Sequence, residues 1–177
     1  MICLAIALGA SSGTPQRMPT APTEIAAVQV AAKLRALLAD PSPKAVVALR
    51  ERVQQGAPPA ALVALLDAYR KQPRAELLDV VQELAQYRRS DVRAHALFAW
   101  AQTSAHEADL AIAAAATDVD PGIRRIAIVL AKQHPSPAAS ARIAELLDHD
   151  RPLADEVAAM AALEAAEDAE IEIEGDS

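Results

Sequence analysis

A short block of residues occurs twice in this chain, about 31 positions apart. Residues 92–97 read VRAHAL and residues 123–128 read IRRIAI, and each block opens a predicted helix shortly after an acidic residue, Asp91 or Asp120. Self-similarity at a period of a few tens of residues is typical of stacked repeat arrays. Such an array offers an extended binding surface and rarely builds a catalytic pocket from one repeat.

The composition favours helix along the whole chain. Hydrophobic residues occupy 53% of the 177 positions but aromatic residues only 2%, and alanine is abundant. Alanine has the highest intrinsic helix propensity, and its small side chain lets two helices approach closely. Val and Ile are scattered at helical spacing, so no strand is expected. The predicted fold class is all-α.

Proline-marked joints divide the sequence into about nine predicted helices. Paired helices are expected near residues 24–55, 58–88, 90–118 and 120–149, with a ninth helix from about residue 152 to residue 168. The starts at 58, 90 and 120 are 32 and 30 residues apart. This regular step predicts an α-solenoid of stacked antiparallel helix pairs, because each pair must bury its apolar side on the next.

Several helix ends carry recognisable signals. Ser90 or Asp91 is expected to cap the fifth helix, and Ser104 the sixth, with Glu107 three residues later as in a capping box. Asp120 and Ser136, each followed by proline, are expected to open the seventh and eighth helices. The fourth helix is expected to end near residues 88–89.

The chain ends differ from the body in composition. Residues 2–10 form an apolar run and residues 11–22 are rich in Pro, Ser and Thr, so 1–22 are interpreted as a leader and linker, 23–169 as the helical domain and 170–177 as an acidic tail. The leader resembles the apolar part of a secretory signal but lacks a basic start, and it is too short to span a bilayer. Export to the periplasm is favoured over a cytoplasmic location. A packed leader or a misplaced start remains the alternative.

The net charge of −7 is concentrated at the C-terminus. Residues 164–177 hold seven acidic side chains and no basic one, which leaves 17 acidic and 17 basic residues in the rest of the chain. A neutral body lacks the basic excess that nucleic-acid binding usually requires. The acidic segment is expected to provide solubility and to shield the last repeat, or else to contact a basic partner or fold back on the arginines.

No residue pattern indicates a cofactor or a metal. Cys3 is the only cysteine, so an intrachain disulfide and a thiolate metal cluster are excluded. His149 lies between Asp148 and Asp150, but adjacent positions at a helix end point in different directions, so helix capping explains this triplet better than metal binding. No phosphate-binding loop, HExxH sequence or nucleophile elbow is present.

The repeated block resembles the opening of the first helix of a HEAT repeat, in the short bacterial form. Residues 120–127 (DPGIRRIA) match the pattern acidic-Pro-x-apolar-Arg-x-x-Ala, residues 90–96 (SDVRAHA) repeat it without the proline, and Asp150 to Leu153 with Val157 form a weaker third copy. The resemblance covers residues 90–165, and its step of about 30 residues is shorter than the 40–47 of most family members. It implies a curved helical scaffold that binds other macromolecules, usually proteins.

The same resemblance implies a structural role for Arg93 and Arg124, which occupy equivalent positions in successive repeats. In the family such an arginine usually bonds to acidic residues or carbonyls of the neighbouring turn. The alternative is a row of guanidinium groups facing an acidic or phosphorylated partner. Trp100 either fills the core or anchors the partner. The candidate partner-binding residues are therefore Arg88, Arg89, Arg93, Trp100, Arg124 and Arg125.

Three functions remain open at this stage. The favoured one is a non-enzymatic protein-interaction scaffold, either a monomer or part of a hetero-complex, that needs no cofactor. The second is a structural subunit of a larger assembly, docked through an end of the array. The third is an enzyme, since some HEAT-like proteins are DNA glycosylases or bilin lyases. The neutral body and the scarcity of aromatics argue against a glycosylase, and no residue here is distinctive of a lyase.

Overall fold

A computed structural model of the protein describes residues 22–162, and all regular structure in that range is helical. The prediction of an all-α fold is confirmed for this part of the chain. A 3₁₀ turn at Ala75–Leu77 precedes α4, and α9 covers residues 151–162 up to the end of the described range. The other helices are α1 Pro22–Ala39, α2 Pro43–Gln54, α3 Pro59–Lys71, α4 Leu78–Leu84, α5 Ser90–Ala101, α6 Ala105–Ala116, α7 Pro121–Gln133 and α8 Pro137–His149.

Side-chain caps begin several of these helices, as the sequence predicts. The Ser104 hydroxyl accepts a hydrogen bond from the Glu107 amide at 3.2 Å, and Ser136 accepts one from Ala139 at 2.9 Å. The Asp120 carboxylate accepts from the Gly122 amide at 2.8 Å. Each cap satisfies a backbone N–H that has no partner within its own helix.

The joint between α4 and α5 differs from the sequence prediction. Helix α4 ends at Leu84 rather than near residues 88–89, because the next turn is closed by short-range bonds such as Tyr87 N–H to the Leu84 carbonyl. The Tyr87 and Arg88 carbonyls accept instead from the Arg93 guanidinium. Helix α5 then starts at Ser90, and Arg89, not Ser90 or Asp91, holds the N-cap position, with no cap bond from its side chain. The Asp91 carboxylate nevertheless accepts from the Val92 amide at 2.9 Å in the first turn.

The odd-numbered helices pack on one another in sequence order. Helix α1 contacts α3, α3 contacts α5, and α5 contacts α7, while α6 contacts α8 among the even-numbered helices. Helices α3, α5 and α7 begin at residues 59, 90 and 121, a step of 31 residues. Helix α9, at 151, continues the series.

Alanine and leucine form most of the buried core, which runs from α1 to α9 as one cluster. Ala96 and Ala99 of α5 and Ala111 and Ala115 of α6 are completely buried, and these two helices contact each other. Small side chains at a contact allow the helix axes to come close together. This explains how a chain with so few aromatic residues closes its interior.

Hydrogen bonds at the helix ends show that the odd-numbered helices run in the same direction. Past the end of α3, the Arg74 guanidinium donates to the Leu38 carbonyl at the end of α1, at 3.0 Å. The Tyr69 hydroxyl, in the last turn of α3, lies 3.4 Å from that of Thr103, just after α5. The C-terminal ends of α1, α3 and α5 therefore lie on one side of the molecule.

None of the helices between residues 22 and 162 is long and apolar enough to cross a membrane. The predicted leader and linker over 1–22, the acidic tail over 170–177 and the last turns of the predicted ninth helix lie wholly or almost wholly outside the described residues.

Candidate protein-interaction surface

Arg93, the fourth residue of α5, binds two neighbouring turns at once. Its Nε and Nη2 atoms donate to both carboxylate oxygens of Asp118, in the α6–α7 turn, at 2.8 and 2.9 Å. Its Nη1 atom donates to the carbonyls of Tyr87 and Arg88, in the α4–α5 turn, at 3.0 and 3.3 Å. The Arg93 and Asp118 side chains are each only 12% exposed. A bidentate, charge-assisted contact of this kind is among the stronger hydrogen-bonded pairs in proteins.

Arg124, the fourth residue of α7, makes corresponding contacts 31 residues later, with one side-chain hydrogen bond in place of two. Its Nε atom donates to Asp150, in the α8–α9 turn, at 2.7 Å. Its Nη1 atom donates to the carbonyls of Asp118 and Val119, in the α6–α7 turn, at 3.0 and 3.2 Å. In both repeats the accepting carbonyls lie six and five residues before the arginine. We call the two sets, centred on Arg93 and Arg124, the arginine clamps.

The acidic residue of each clamp also shapes the turn that contains it. Asp118 accepts from the Asp120 amide at 2.8 Å, and Asp150 accepts from the Leu153 amide, at the start of α9, at 3.3 Å. The hydrogen bond from Arg124 lowers the pKa of Asp150 below its ordinary value, and the bond from Leu153 acts in the same direction. The carboxylate therefore remains charged at neutral pH, as the clamp requires.

The other three arginines of the predicted set differ in exposure and pairing. Arg88 is exposed and forms no ion pair within residues 22–162. Arg89 pairs with Asp91 at 2.8 Å, and Arg125 pairs with Glu156 of α9 at 2.6 Å. The hydrogen bonds from these arginines lower the pKa of Asp91 and that of Glu156. The structure thus separates the five predicted arginines into two that are bonded inside the molecule, Arg93 and Arg124, and three that are exposed.

Trp100 lies near the end of α5 and is half-buried against the core. Its indole N–H donates to the carboxylate of Glu107, which also accepts from the Gln82 amide at 3.3 Å. Phe98 is half-buried as well, and the Arg70 guanidinium lies 5.1 Å from its ring centroid. Whether Trp100 contacts a partner stays a prediction; its polar edge is already bonded inside the molecule.

In the part of the chain that the structure describes, the histidines do not gather with acidic residues into a metal site. His149 Nδ1 lies 2.8 Å from the carbonyl of Glu145, and His95 Nδ1 lies 2.9 Å from Asp67 of α3. Within residues 22–162, no group of three His, Cys, Asp or Glu side chains is arranged to hold a metal ion. The His95–Asp67 contact joins two neighbouring odd-numbered helices.

Two of the open clefts on the described surface contain arginine side chains. One, of about 320 Å³, is bounded by α6, α7 and α8 and contains Arg124, Asp150, Arg142, Glu145 and His149. Its charged groups are paired with each other, since Arg142 binds Glu145 at 2.7 Å and Arg124 binds Asp150. The second cleft, of about 480 Å³, lies at the ends of α3 and α5 and is lined by Asp67, Arg70, Lys71 and Gln102.

Sequence reasoning did not identify the acidic partners of these arginines. Asp118 and Asp150 follow Arg93 and Arg124 by 25 and 26 residues, and this recurring arginine-to-acid spacing was the available signal. Arg50 of α2 makes a related contact, donating to both oxygens of Asp79 in α4 at 2.9 and 3.0 Å. No repeated sequence block marks that pair.

Comparisons with known proteins leave the chain without an assigned relative. No family model, no curated protein and no solved structure matches it. The similarity to HEAT repeats therefore rests on the residues of the chain itself.

Proposed function

We propose that this protein is a non-enzymatic protein-interaction scaffold, built as a HEAT-like α-solenoid of stacked antiparallel helix pairs. The observation that carries the proposal is the recurrence of the arginine clamp at Arg93 and Arg124, with the same side-chain and carbonyl partners in successive turns. When helix pairs are stacked in series, the same contact is expected to recur once in each pair. Helices arranged around a single closed core are not expected to repeat a contact in this way.

The order of helix contacts supports the same arrangement. Each odd-numbered helix from α1 to α7 contacts the next, and α3, α5 and α7 begin at a constant step. The Arg125–Glu156 pair extends the series from α7 to α9. Solenoids built in this way use their extended surfaces to bind other macromolecules.

The charges of the two sets of helices indicate which surface such a partner would use. Helices α1, α3, α5 and α7 carry eight basic and three acidic side chains. The even-numbered helices, with the 3₁₀ turn, carry four basic and eight acidic ones. An acidic or phosphorylated partner is favoured on the odd-numbered side, because complementary charge accelerates association and selects partners.

Within that side, the exposed arginines are the better contacts for a partner. The guanidinium N–H groups of Arg93 and Arg124 donate to partners inside the clamps, whereas Arg88 has no ion pair in the described part of the chain. The ion pairs that Arg89 and Arg125 form are exposed to solvent. Exposed ion pairs contribute little free energy, so these arginines can release their carboxylates and bind a partner instead. We therefore place partner recognition on Arg88, Arg89 and Arg125, near the starts of α5 and α7, and assign Arg93 and Arg124 to the scaffold. Trp100, near the opposite end of α5, is a separate candidate contact.

A test is affinity capture from an extract of the native cell, with three purified baits. They are the full chain, a variant with Arg88→Glu and Arg89→Glu, and a control with Lys44→Glu and Arg52→Glu on α2, which changes the net charge equally. We expect a stoichiometric partner with the full chain and the control, and at least a tenfold loss with the first variant. Equal recovery with all three baits would contradict the assigned surface, and turnover of a substrate by the purified protein would contradict the scaffold.

A second candidate function is that of a structural subunit docked through the α1–α2 end of the array. Ile25 and Val28 of α1 are 45% and 51% exposed, and Val47 of α2 is 52% exposed. Exposed apolar residues on the helices at one end of an array are typical of a contact surface. If this reading holds, replacing Val28 and Val47 by Asp will release the partner, and the Arg88/Arg89 variant will retain it.

A further inference from the structure

A group of basic side chains lies at the C-terminal ends of α1 and α3. Arg70 and Lys71 occupy the last turn of α3, and Lys33 and Arg35 the last two turns of α1. All four are exposed, and none forms an ion pair in the part of the chain that the structure describes. We call these four residues the basic edge.

The basic edge continues toward the later repeats. The Arg74 contact with Leu38 sets the ends of α1 and α3 together, and the Tyr69–Thr103 contact adds the end of α5. Gln102 lies 3.4 Å from His134, which adds the end of α7. The C-terminal ends of four odd-numbered helices are thus aligned along one side of the molecule.

Helix α9 runs in the same direction as these helices. Glu156, near the start of α9, pairs with Arg125, near the start of α7, and Asp150, just before α9, pairs with Arg124. The far end of α9, at residue 162, therefore lies on the same side as the basic edge. The seven acidic residues of 164–177 follow directly after it in the sequence.

The remaining segment is long enough to reach the basic edge. Neighbouring packed helices lie about 8–10 Å apart, so α3 is about 25–30 Å from α9, three helices away. An extended chain spans about 3.3 Å per residue, so residues 163–177 can cover about 50 Å. The acidic segment and the basic edge carry opposite charges, and the end of α9 lies on the same side of the molecule as the basic edge, so electrostatic attraction favours their contact.

We propose that the acidic segment 164–177 docks, within the same molecule, on the basic edge and across the cleft lined by Arg70 and Lys71. Docked there, its carboxylates pair with Arg70 and Lys71, which line the cleft, and the segment covers Phe98, which lies beneath the Arg70 guanidinium. An acidic partner would then have to displace the segment before it could use this end of the odd-numbered surface. The proposal concerns the chain alone and holds whether or not a partner exists.

Energy transfer from the single tryptophan measures this docking directly. Trp100 lies one residue before the end of α5, beside the proposed site, and Cys3 is the only cysteine. In the full chain, Cys3→Ser and Ser177→Cys allow an acceptor dye to be attached at residue 177. We expect strong quenching of Trp100 emission at about 0.05 M salt and at least a twofold loss of transfer at about 1 M, where charge interactions are screened.

The variants identify the docking surface. Arg70→Glu with Lys71→Glu is expected to lower the transfer at low salt at least twofold, and Arg70→Gln with Lys71→Gln to do so by less. The control, Lys44→Glu with Arg52→Glu on α2, carries the same charge change as the first variant and is expected to retain the transfer. Far-UV circular dichroism verifies that each variant keeps its helices.

Two results would overturn the proposal. If neither the salt concentration nor the substitutions of Arg70 and Lys71 change the energy transfer, the segment does not occupy the basic edge. Transfer that disappears on dilution, or when excess unlabelled protein is added, would assign the docked segment to a second copy of the chain.

Discussion

At the scale of single residues, the arginine clamps connect parts of the chain that are distant in sequence. Arg93 joins the α4–α5 turn to the α6–α7 turn, and Arg124 joins the α6–α7 turn to the α8–α9 turn. The α6–α7 turn therefore takes part in both clamps, through the carboxylate of Asp118 in one and its carbonyl in the other. Loss of one arginine would free carbonyls and a carboxylate at the same time.

Replacing Arg93 by Ala is expected to lower the free energy of unfolding by about 2–3 kcal/mol. The substitution leaves a nearly buried Asp118 carboxylate without its ion partner, and hydrogen bonds to charged groups contribute more than neutral ones. Urea denaturation followed by circular dichroism measures the change. Arg151→Ala is the control, since that side chain is 85% exposed and its pair with Asp155 is long, at 3.4 Å. Equal effects of the two substitutions would contradict the role of the clamp.

The lowered pKa of Asp150 predicts how stability depends on acid. The ordinary pKa of an aspartate carboxyl is 3.8 and that of Asp150 in the folded protein lies below it, so the unfolded chain takes up the proton first as the pH falls. The stabilisation is therefore complete above about pH 4 and is lost as the pH falls through the folded pKa. In Asp150→Asn this contribution is absent, so urea midpoints measured between about pH 5 and pH 3 should fall less steeply than in the unmodified protein. Identical slopes would count against the Arg124–Asp150 contact.

At the scale of helices, the capping residues in the sequence predict where helices begin better than where they end. Ser104, Asp120 and Ser136 cap the expected helices because their bonds are local and need only the next few residues. Helix α4 stops early in a turn closed by bonds such as Tyr87 N–H to the Leu84 carbonyl, and Arg93, which belongs to the following helix, binds two carbonyls of that turn. A contact with a later part of the chain cannot be seen in a local pattern.

Only half of the predicted capping box between Ser104 and Glu107 forms. The Glu107 amide receives the Ser104 cap, as the sequence indicates, but its carboxylate accepts from Trp100 and Gln82 instead of turning back to its own helix start. The indole of α5 and the amide of α4 both reach it. The packing of three helices therefore decides where this side chain bonds.

The two serine caps should differ in their contribution to stability. Ser104→Ala is expected to cost about 1 kcal/mol, the usual value of an N-cap. Ser136→Ala is expected to cost about 2 kcal/mol, because the same hydroxyl also donates to Asp109 of α6 at 2.5 Å, and that bond contributes about as much again. Urea midpoints of the two variants provide the comparison. A cost for Ser136→Ala no larger than that for Ser104→Ala would show that the bond to Asp109 adds nothing.

At the scale of the whole molecule, the sequence predicts the all-α fold class but not the side-chain contacts between helices that are distant in the chain. The 31-residue step between the VRAHAL and IRRIAI blocks reappears as the step between helix starts, because the apolar and capping residues that produce it act locally. The roles of the arginines depend on Asp118 and Asp150, each about one helix pair away. The basic edge depends on the common direction of the odd-numbered helices, which no local pattern encodes.

The proposed solenoid consists of helix pairs that are stacked one after another, and shortening the chain by whole pairs tests this most directly. A chain of residues 22–119 keeps α1 to α6 and the complete Arg93 clamp. Because each pair in a serial array is supported mainly by its neighbours, this fragment should retain the helical circular dichroism per residue of the full domain and unfold cooperatively at a lower urea concentration. Loss of most of its helical signal would show that the helices depend on a single closed core, and would contradict the solenoid.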